Sequence, residues 1–437
     1  MIKSNERADA YRVLLLWLTE GAFIKESGLS PFAMELALGV CRRHLLLEYF
    51  IKTLTKKMPP LEVKVILEMG LFQMFFMDVP DHAAINTSVE LAKAASLGEG
   101  ATRLTNAVLR AARRSGLPQM PPQRVRRISI ENSVPEWIVR RWFDVYGGDK
   151  AETLAKATLE RPTEWLRVNL QKTTTAKLAE ALGFGKDAVT LYDRYIQVPR
   201  DASLKTLLNS PEFSAGHFSL QNPAAFEVVK LLDAKPGMSV WDACAAPGGK
   251  TALLAEMDGS LRILASDSSE TRLEKMQDLM TRLGITNVNT ECIDITAAIR
   301  DAQPAIFTTR EKNAAQFDRI LLDVPCSNMG VISRRPESIY RLSPESIKEL
   351  SELQFQILEN AAKALKPDGR LVYATCSPDP QETTQVINRF LKAHPDFKKA
   401  GDAVLPGDAV LPGDAILPNN TPIPHLDRFF AQALEHK

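Results

Sequence analysis

From Met238 onward the chain is built of short apolar runs alternating with segments whose apolar residues recur at helical spacing. That alternation is the signature of a parallel sheet whose strands are joined by crossover helices. Val240-Trp241-Asp242, residues 261–266, Ile320-Leu321-Leu322-Asp323 and residues 371–375 are the expected strands, and Leu273, Met276, Met280 and Leu283 mark a helix face between the second and third. The pattern constrains more than architecture. In such a sheet ligands bind beyond the carboxyl ends of the strands, so chemistry is to be sought in the residues that follow each run.

A chain of 437 residues exceeds what one core organises, and two or three domains are expected. Apolar residues at Ala10, Val13, Leu14, Trp17 and Leu18, and again at Val65, Met69, Phe72 and Phe76, follow one helix face, so the first part reads as all helix. The pattern breaks at Gly116-Leu117-Pro118 and Pro121-Pro122, which puts a boundary near 115–135. A helical stretch at 137–146, an apolar alternation at Trp165-Leu166-Arg167-Val168-Asn169 and a helix at 176–182 suggest a small mixed module. Three consecutive parts are therefore expected: helical 1–130, a linker and small α/β module at 131–220, and the parallel-sheet domain at 221–437. Near the C-terminus Gly401-Asp402-Ala403-Val404-Leu405-Pro406 recurs at 407–412 and, with isoleucine for valine, at 413–418. Three copies are too few to bury a solenoid core, so a duplicated surface loop is expected.

A formal net charge of +1 removes the simplest argument for nucleic-acid binding, a strongly basic chain. Any such contact must come from local patches. Residues 101–130 hold seven arginines, Arg103, Arg110, Arg113, Arg114, Arg124, Arg126 and Arg127, and no acid. They read equally as a phosphate-facing surface and as a solvated helix end where cations favour the dipole. The five cysteines, Cys41, Cys244, Cys292, Cys326 and Cys376, form no CxxC pair, unlike a disulfide framework or a zinc site, so no metal is expected. A reducing cytoplasm fits. The apolar run at 13–18 is too short for a membrane span and precedes no cleavage site, so neither a targeting segment nor a membrane is expected.

The segment Trp241-Asp242-Ala243-Cys244-Ala245-Ala246-Pro247-Gly248-Gly249-Lys250-Thr251 sits where the first strand of the sheet turns into its first helix. Its glycines permit close approach of a ligand to the backbone. Neither GxGxxG nor GxxxxGK[ST] is present, so a pyrophosphate is not its natural occupant. Asp267 closes the second strand and can accept from ribose hydroxyls, which suits NAD or S-adenosylmethionine alike. Asp294 and Asp323 close the next two. Aspartate is common at turns and helix caps, and for Asp318 that reading is preferred. In series with the glycine loop, Asp267, Asp294 and Asp323 are read as a functional rim. Cys326 and Cys376 each lie just past a strand end on that rim, whereas Cys41 and Cys292 sit among apolar neighbours and are expected to be buried. A thiolate so placed could add to carbon 6 of a cytosine and make carbon 5 nucleophilic. A second group must then help release the sulfur, and two cysteines can divide that work.

The second half resembles the family of RNA cytosine-5 methyltransferases that includes the bacterial Fmu (Sun) enzyme and the eukaryotic NSUN proteins. The resemblance rests on Cys244-Ala245-Ala246-Pro247-Gly248-Gly249-Lys250, on Asp-x-Pro-Cys-Ser at 323–327 and on Thr375-Cys376-Ser377, three motifs in the family's order. The helical part, at Asp81-His82-Ala83-Ala84-Ile85-Asn86-Thr87-Ser88 and Asn106-Ala107-Val108-Leu109-Arg110, resembles the NusB-type RNA-binding domain fused to the bacterial 16S ribosomal RNA member.

The implied fold is an α/β Rossmann-like methyltransferase domain with a mostly parallel sheet, preceded by a small α/β RNA-binding module and an all-α NusB-like domain. The implied activity is transfer of a methyl group from S-adenosyl-L-methionine to cytosine carbon 5 of 16S ribosomal RNA. Cys376 would be the nucleophile and Cys326 would assist release, while Cys244, Ala245, Ala246, Pro247, Gly248, Gly249, Lys250, Asp267, Asp294 and Asp323 would bind cofactor. A monomer is expected. The chain departs from the family at Asn328, usually glycine, alanine or serine, at Asn222 and Glu337, usually aspartate, at Thr383, commonly asparagine, and at Arg428, where the family has glycine. A nicotinamide dehydrogenase would explain Asp267 but neither cysteine, and a non-enzymatic RNA-binding factor would need neither the loop nor a rim thiol.

Overall fold

The computed structural model describes residues 5–185, 188–296, 317–403 and 429–437. Most of the hexapeptide repeat and Arg428 lie outside the described residues. The chain divides into two compact units, one of Met1–Arg161 with Val331–Leu342, the other of Pro162–Gly330 with Ser343–Lys437.

The first unit is helical, with α1 (Glu6–Glu20), α2 (Pro31–Arg42), α3 (His44–Leu54), α4 (Leu61–Phe76), α5 (Asp81–Ala94), α6 (Gly98–Ser115), α7 (Arg124–Asn132), α8 (Glu136–Tyr146) and α9 (Gly148–Ala157). Local signals set its ends: Asn5 and Ser30 accept from backbone amides to cap α1 and α2, and Gly21 ends α1 in the left-handed region. Helix α4 buries residues on every side, among them Val65, Ile66, Leu67 and Met69, as a central helix must. It lies so close to α2 that a Cβ at Gly39 would sit 1.9 Å from the Phe72 ring. The proline-marked break separates α6 from α7 but does not end the unit, which runs on to Arg161. The short segment from 331 also belongs here. Its Tyr340 ring packs against Trp17 and His44, and its hydroxyl donates to the Ser133 carbonyl at 2.8 Å.

The second unit opens with an antiparallel sheet of order β2-β3-β1-β4, made of β1 (Trp165–Val168), β2 (Thr190–Leu191), β3 (Tyr195–Gln197) and β4 (Phe218–Leu220), with helices α10 (Thr175–Ala181), α11 (Leu204–Leu208) and α12 (Pro211–Ser214). Helix α13 (Ala224–Leu231) leads into the larger sheet: β5 (Ser239–Asp242), α14 (Gly249–Met257), β6 (Arg262–Asp267), α15 (Glu270–Leu283), β7 (Val288–Cys292), β8 (Phe317–Asp323), α16 (Pro344–Ala362), β9 (Leu365–Thr375), α17 (Thr384–Ala393), β10 (Phe397–Lys399) and β11 (Phe430–His436). Its order is β10-β11-β9-β8-β5-β6-β7. Strands β5 to β9 run parallel, and β11 pairs antiparallel with β9 and β10. Every strand expected from the apolar runs is present, and Leu273, Met276, Met280 and Leu283 form the buried face of α15.

Strand order reverses direction at β5, whose neighbours are β8 on one side and β6 on the other, and the loops there diverge to leave a crevice. Cys292, expected to be buried, is exposed, because β7 is the edge of the sheet. Cys41 is buried as expected.

Candidate active site

A cavity of about 290 Å³ opens at that crevice, lined from the ends of four parallel strands. β5 contributes Ala243, Cys244 and Ala246, β6 Asp267 and Ser268, β7 Ile293, Asp294, Ile295 and Thr296, and β8 Asp323 and Pro325. Helix α16 closes one side with Leu353 and Ile357, and Arg272 of α15 reaches the rim.

Asp267 is buried at the floor of this cavity and accepts from the Arg272 guanidinium at 2.5 Å, from the Ser269 amide at 3.0 Å and from the Ala246 amide at 3.3 Å. Asp294 accepts from the amide and hydroxyl of Thr296 at 2.9 and 2.6 Å, so it both closes a turn and lines the cavity. Of the loop residues singled out in the sequence, Cys244 and Ala246 face the cavity, while Ala245, Pro247, Gly248, Gly249 and Lys250 do not line it. Gly248 stands at φ +97°, and a Cβ there would meet the Met276 side chain at 2.6 Å, so the turn into α14 requires glycine. The loop is held from behind by Arg167 of β1. Its fully buried guanidinium donates to the Gly249 carbonyl at 2.6 Å and to Glu256 at 2.9 Å.

Lys250 pairs with Asp323, which lines the cavity. Burial opposes its charge, but the Asp323 carboxylate outweighs that and holds the ammonium pKa up. Beneath it Asp242 accepts from the Thr251 hydroxyl at 2.7 Å, and burial pushes its carboxyl up to about 7. Burial likewise pushes the Cys244 thiol up, which leaves it a poor nucleophile at neutral pH. Asp318 lies at the opposite end of β8, held by Ser239 and Lys366, a structural role.

The two remaining cysteines meet. Cys326, in the loop after β8, and Cys376, in the loop after β9, bring their sulfurs to 2.9 Å. The Cys376 thiol also lies 3.1 Å from Asn328 Oδ1, while the Asn328 amide donates to the Cys326 carbonyl at 3.2 Å. The hydrogen bond with Cys326 and then burial hold the Cys376 thiol well above its ordinary pKa, with Lys250 pulling the other way. Behind the pair lies a buried network that sequence reasoning did not identify. Glu382 accepts from the Ser327 amide at 2.8 Å and hydroxyl at 2.5 Å, from Gln354 at 3.0 Å and from the Ser377 hydroxyl.

The arginines of residues 101–130 lie in the other unit, and most have partners there. Arg113 pairs with Asp81, Arg124 with Asp149 and Glu152, Arg127 with Glu131 and Glu152, and Arg103 with Glu99. Arg110 donates to Asn106. Arg114 and Arg126 are exposed.

Comparison with known proteins supplies three family matches. Residues 229–435 match the family described as 16S rRNA methyltransferase RsmB/F, residues 5–114 the NusB family, and residues 134–188 a ferredoxin-like domain of RsmF/B-like methyltransferases. The chain is 34% identical over 407 residues to a probable ribosomal RNA small subunit methyltransferase B of Bacillus subtilis, covering 91% of this chain and 84% of that protein. It is 34% identical to the ribosomal RNA small subunit methyltransferase B of Shewanella oneidensis, covering 76% of this chain and 74% of that one. Among solved structures, a methyltransferase homologue from Pyrococcus horikoshii aligns at TM-score 0.56 and 26% identity over 73% of this chain and all of that one. NSun6 from the same organism, solved with SFG, aligns at TM-score 0.55 and 20% identity over 69% and 98%, a likeness of fold.

Proposed function

Because the chain belongs to the 16S rRNA methyltransferase RsmB/F family, carrying a NusB-family region at its N-terminal end, we propose that it methylates carbon 5 of one cytosine in 16S ribosomal RNA. The methyl donor is S-adenosylmethionine, the attacking group is Cys376, and Cys326 assists release. The observation that carries this reading is the pair of sulfurs 2.9 Å apart at the ends of adjacent strands, next to a cavity lined by Asp323 and Pro325, which lead directly to Cys326.

The cavity suits the donor. Asp267, at the end of the second parallel strand, is read as the acceptor of ribose hydroxyls, and Ile293, Ile295, Leu353 and Ile357 line an apolar slot that suits a purine. Asp294 adds a second carboxylate. The 244–250 loop brings backbone close to the ligand, and the first amides of α14 suit a carboxylate. S-adenosylmethionine supplies an electrophilic methyl group when bound.

The chain's own residues do the rest. Carbon 5 of cytosine is too weak a nucleophile until a thiolate has added at carbon 6. Cys376 must lose its proton for that, and the hydrogen bond with Cys326 together with burial favours the protonated thiol. Lys250, which pulls that pKa down, favours the thiolate. After methylation the proton on carbon 5 must leave before the sulfur is eliminated, and Cys326 stands against Cys376 to assist. The cytosine must be out of its stack to reach either group. Among the described residues no helix is long and apolar enough to cross a membrane. From its unpaired cysteine pattern we place the enzyme in a reducing cytoplasm, as a monomer.

Bisulfite sequencing of 16S ribosomal RNA, from cells with and without the protein and from purified RNA treated with it, tests the reading. One cytosine should become resistant to conversion only when the protein and S-adenosylmethionine are present. Methylation confined to another base or another ring position would overturn it.

A further inference from the structure

We propose that Glu382 is a positioning residue that sets the spacing of Cys326 and Cys376, an inference that rests on the roles assigned to those cysteines above. The carboxylate is fully buried. It takes hydrogen bonds from the amide and hydroxyl of Ser327, the hydroxyl of Ser377 and the amide of Gln354. Ser327 follows Cys326 directly, and Ser377 follows Cys376 directly. One side chain therefore grips both thiol-bearing loops at the residue next to each sulfur.

The surroundings reinforce the grip. Gln354 also donates to the Pro325 carbonyl at 2.9 Å, and the Tyr373 hydroxyl donates to the Glu382 carbonyl at 2.7 Å. The Gly330 amide donates to the Cys376 carbonyl at 2.7 Å, a second tie between the loops. All four groups on the carboxylate are donors, and no cation pairs with it among the described residues. Burial accordingly raises its pKa, with the two serines opposing that shift. A buried, unpaired charge is costly for stability. What a carboxylate offers in return is two acceptor oxygens with no donor of their own, the one side-chain group able to gather four donors at a point. An apolar residue would fill the space but leave an amide and two hydroxyls of the two loops without this acceptor, free to turn to other partners and carry the sulfurs apart.

The thiol spacing can be read without RNA. Dibromobimane joins two thiols a few ångströms apart, each sulfur displacing one bromide, and fluoresces when both have reacted. In the full-length protein it should bridge Cys326 and Cys376, identified by peptide mass spectrometry. Glu382→Ala should slow that bridging about tenfold or more, while labelling of the exposed Cys292 by monobromobimane and the Kd for S-adenosylmethionine stay within about twofold. Glu382→Gln keeps an acceptor for the Ser327 amide, and hydroxyls can rotate to accept from its amide, so it should recover bridging to within about threefold. In cytosine methylation, Glu382→Ala should lower kcat about 10- to 100-fold with KM for S-adenosylmethionine unchanged. If Glu382→Ala does not fold, Ser377→Ala frees one loop alone and should slow bridging about threefold or more. Wild-type bridging in the folded variants would overturn the positioning role. Slowed bridging in a protein that methylates no cytosine would leave that role standing and overturn the assigned reaction instead.

Discussion

Cys326 and Cys376 approach to 2.9 Å between sulfurs although fifty residues separate them, because β8 and β9 are neighbours in the sheet and each thiol lies just past a strand end. Neither cysteine can be changed without altering the surroundings of the other. Their roles are nevertheless separable by what each variant leaves behind. Cys376→Ala should neither methylate RNA nor form an adduct, since no covalent step can begin. Cys326→Ala should attack and methylate but stall at elimination, leaving a protein–RNA complex that survives denaturing electrophoresis. Accumulation of the adduct in Cys376→Ala instead would reverse the assignment.

Asn328 offers its Oδ1 to the Cys376 thiol, and an acceptor favours the protonated form. Asn328 stands at φ +59°, so glycine fits without strain. Asn328→Gly should move the pH dependence of Cys376 alkylation by iodoacetamide to lower pH. A shift to higher pH, or none, would show that the asparagine does not act on the thiol.

Asp267→Ala should weaken S-adenosylmethionine binding by ~1.5 to 3 kcal/mol if the carboxylate holds ribose hydroxyls. Isothermal titration would read this directly. NAD should show no measurable heat with either protein, and tight NAD binding would sink the cofactor assignment.

Burial raises Asp242 to about 7, so between an unfolded value near 3.9 and that point the folded protein keeps a proton that the unfolded chain has lost. The stability this group contributes is therefore present at low pH and falls as pH rises through the window. Asp242→Asn abolishes the titration while leaving an acceptor for Thr251. Relative to wild type it should gain ~2 to 3 kcal/mol on going from pH 5 to pH 8 in urea unfolding. A pH-independent difference would mean that Asp242 titrates at an ordinary value.

The basic surface divides by pairing. Arg114 and Arg126 are exposed, whereas Arg113 and Arg124 have carboxylate partners. If the patch meets phosphates, Arg114→Ala with Arg126→Ala should lower the slope of log affinity against log salt by ~0.7 to 0.9 per lost contact. The paired Arg113→Ala with Arg124→Ala should change it less. Equal slopes in all proteins would return the whole stretch to an ordinary solvated surface.

The parallel strands were legible because a strand buried on both faces must be apolar throughout, and β8 and β9 advertise themselves that way. The rim residues followed, since Asp267, Asp323, Cys326 and Cys376 each come directly after such a run. What escaped depends on contacts distant in sequence. Glu382 looks like an ordinary acid six residues past Cys376 until β8 and β9 pair and bring Ser327 beside Ser377. Arg272 is nearer, five residues past Asp267, yet the meeting of its guanidinium with that carboxylate shows only once β6 has turned into α15. Which arginines of the acid-free stretch are paired was hidden for the same reason, since Asp81, Asp149 and Glu152 come from outside it. Cys292 has apolar neighbours in sequence but sits on an edge strand, a position local pattern does not reveal.

The residues from Val331 to Leu342 belong to the helical unit although the rest of that unit ends at Arg161. During synthesis this imposes an order of events. The place of Tyr340 beside Trp17, His44 and Ser133 stays empty until roughly 180 further residues have emerged, on the order of 10 to 35 s at ~5 to 20 residues per second. Until then Trp17 and His44 lack a ring partner that they have in the finished protein. The nascent helical unit must wait on the ribosome for its last piece, and the strand bearing Asp323 and the loop bearing Cys326 are made before that piece arrives.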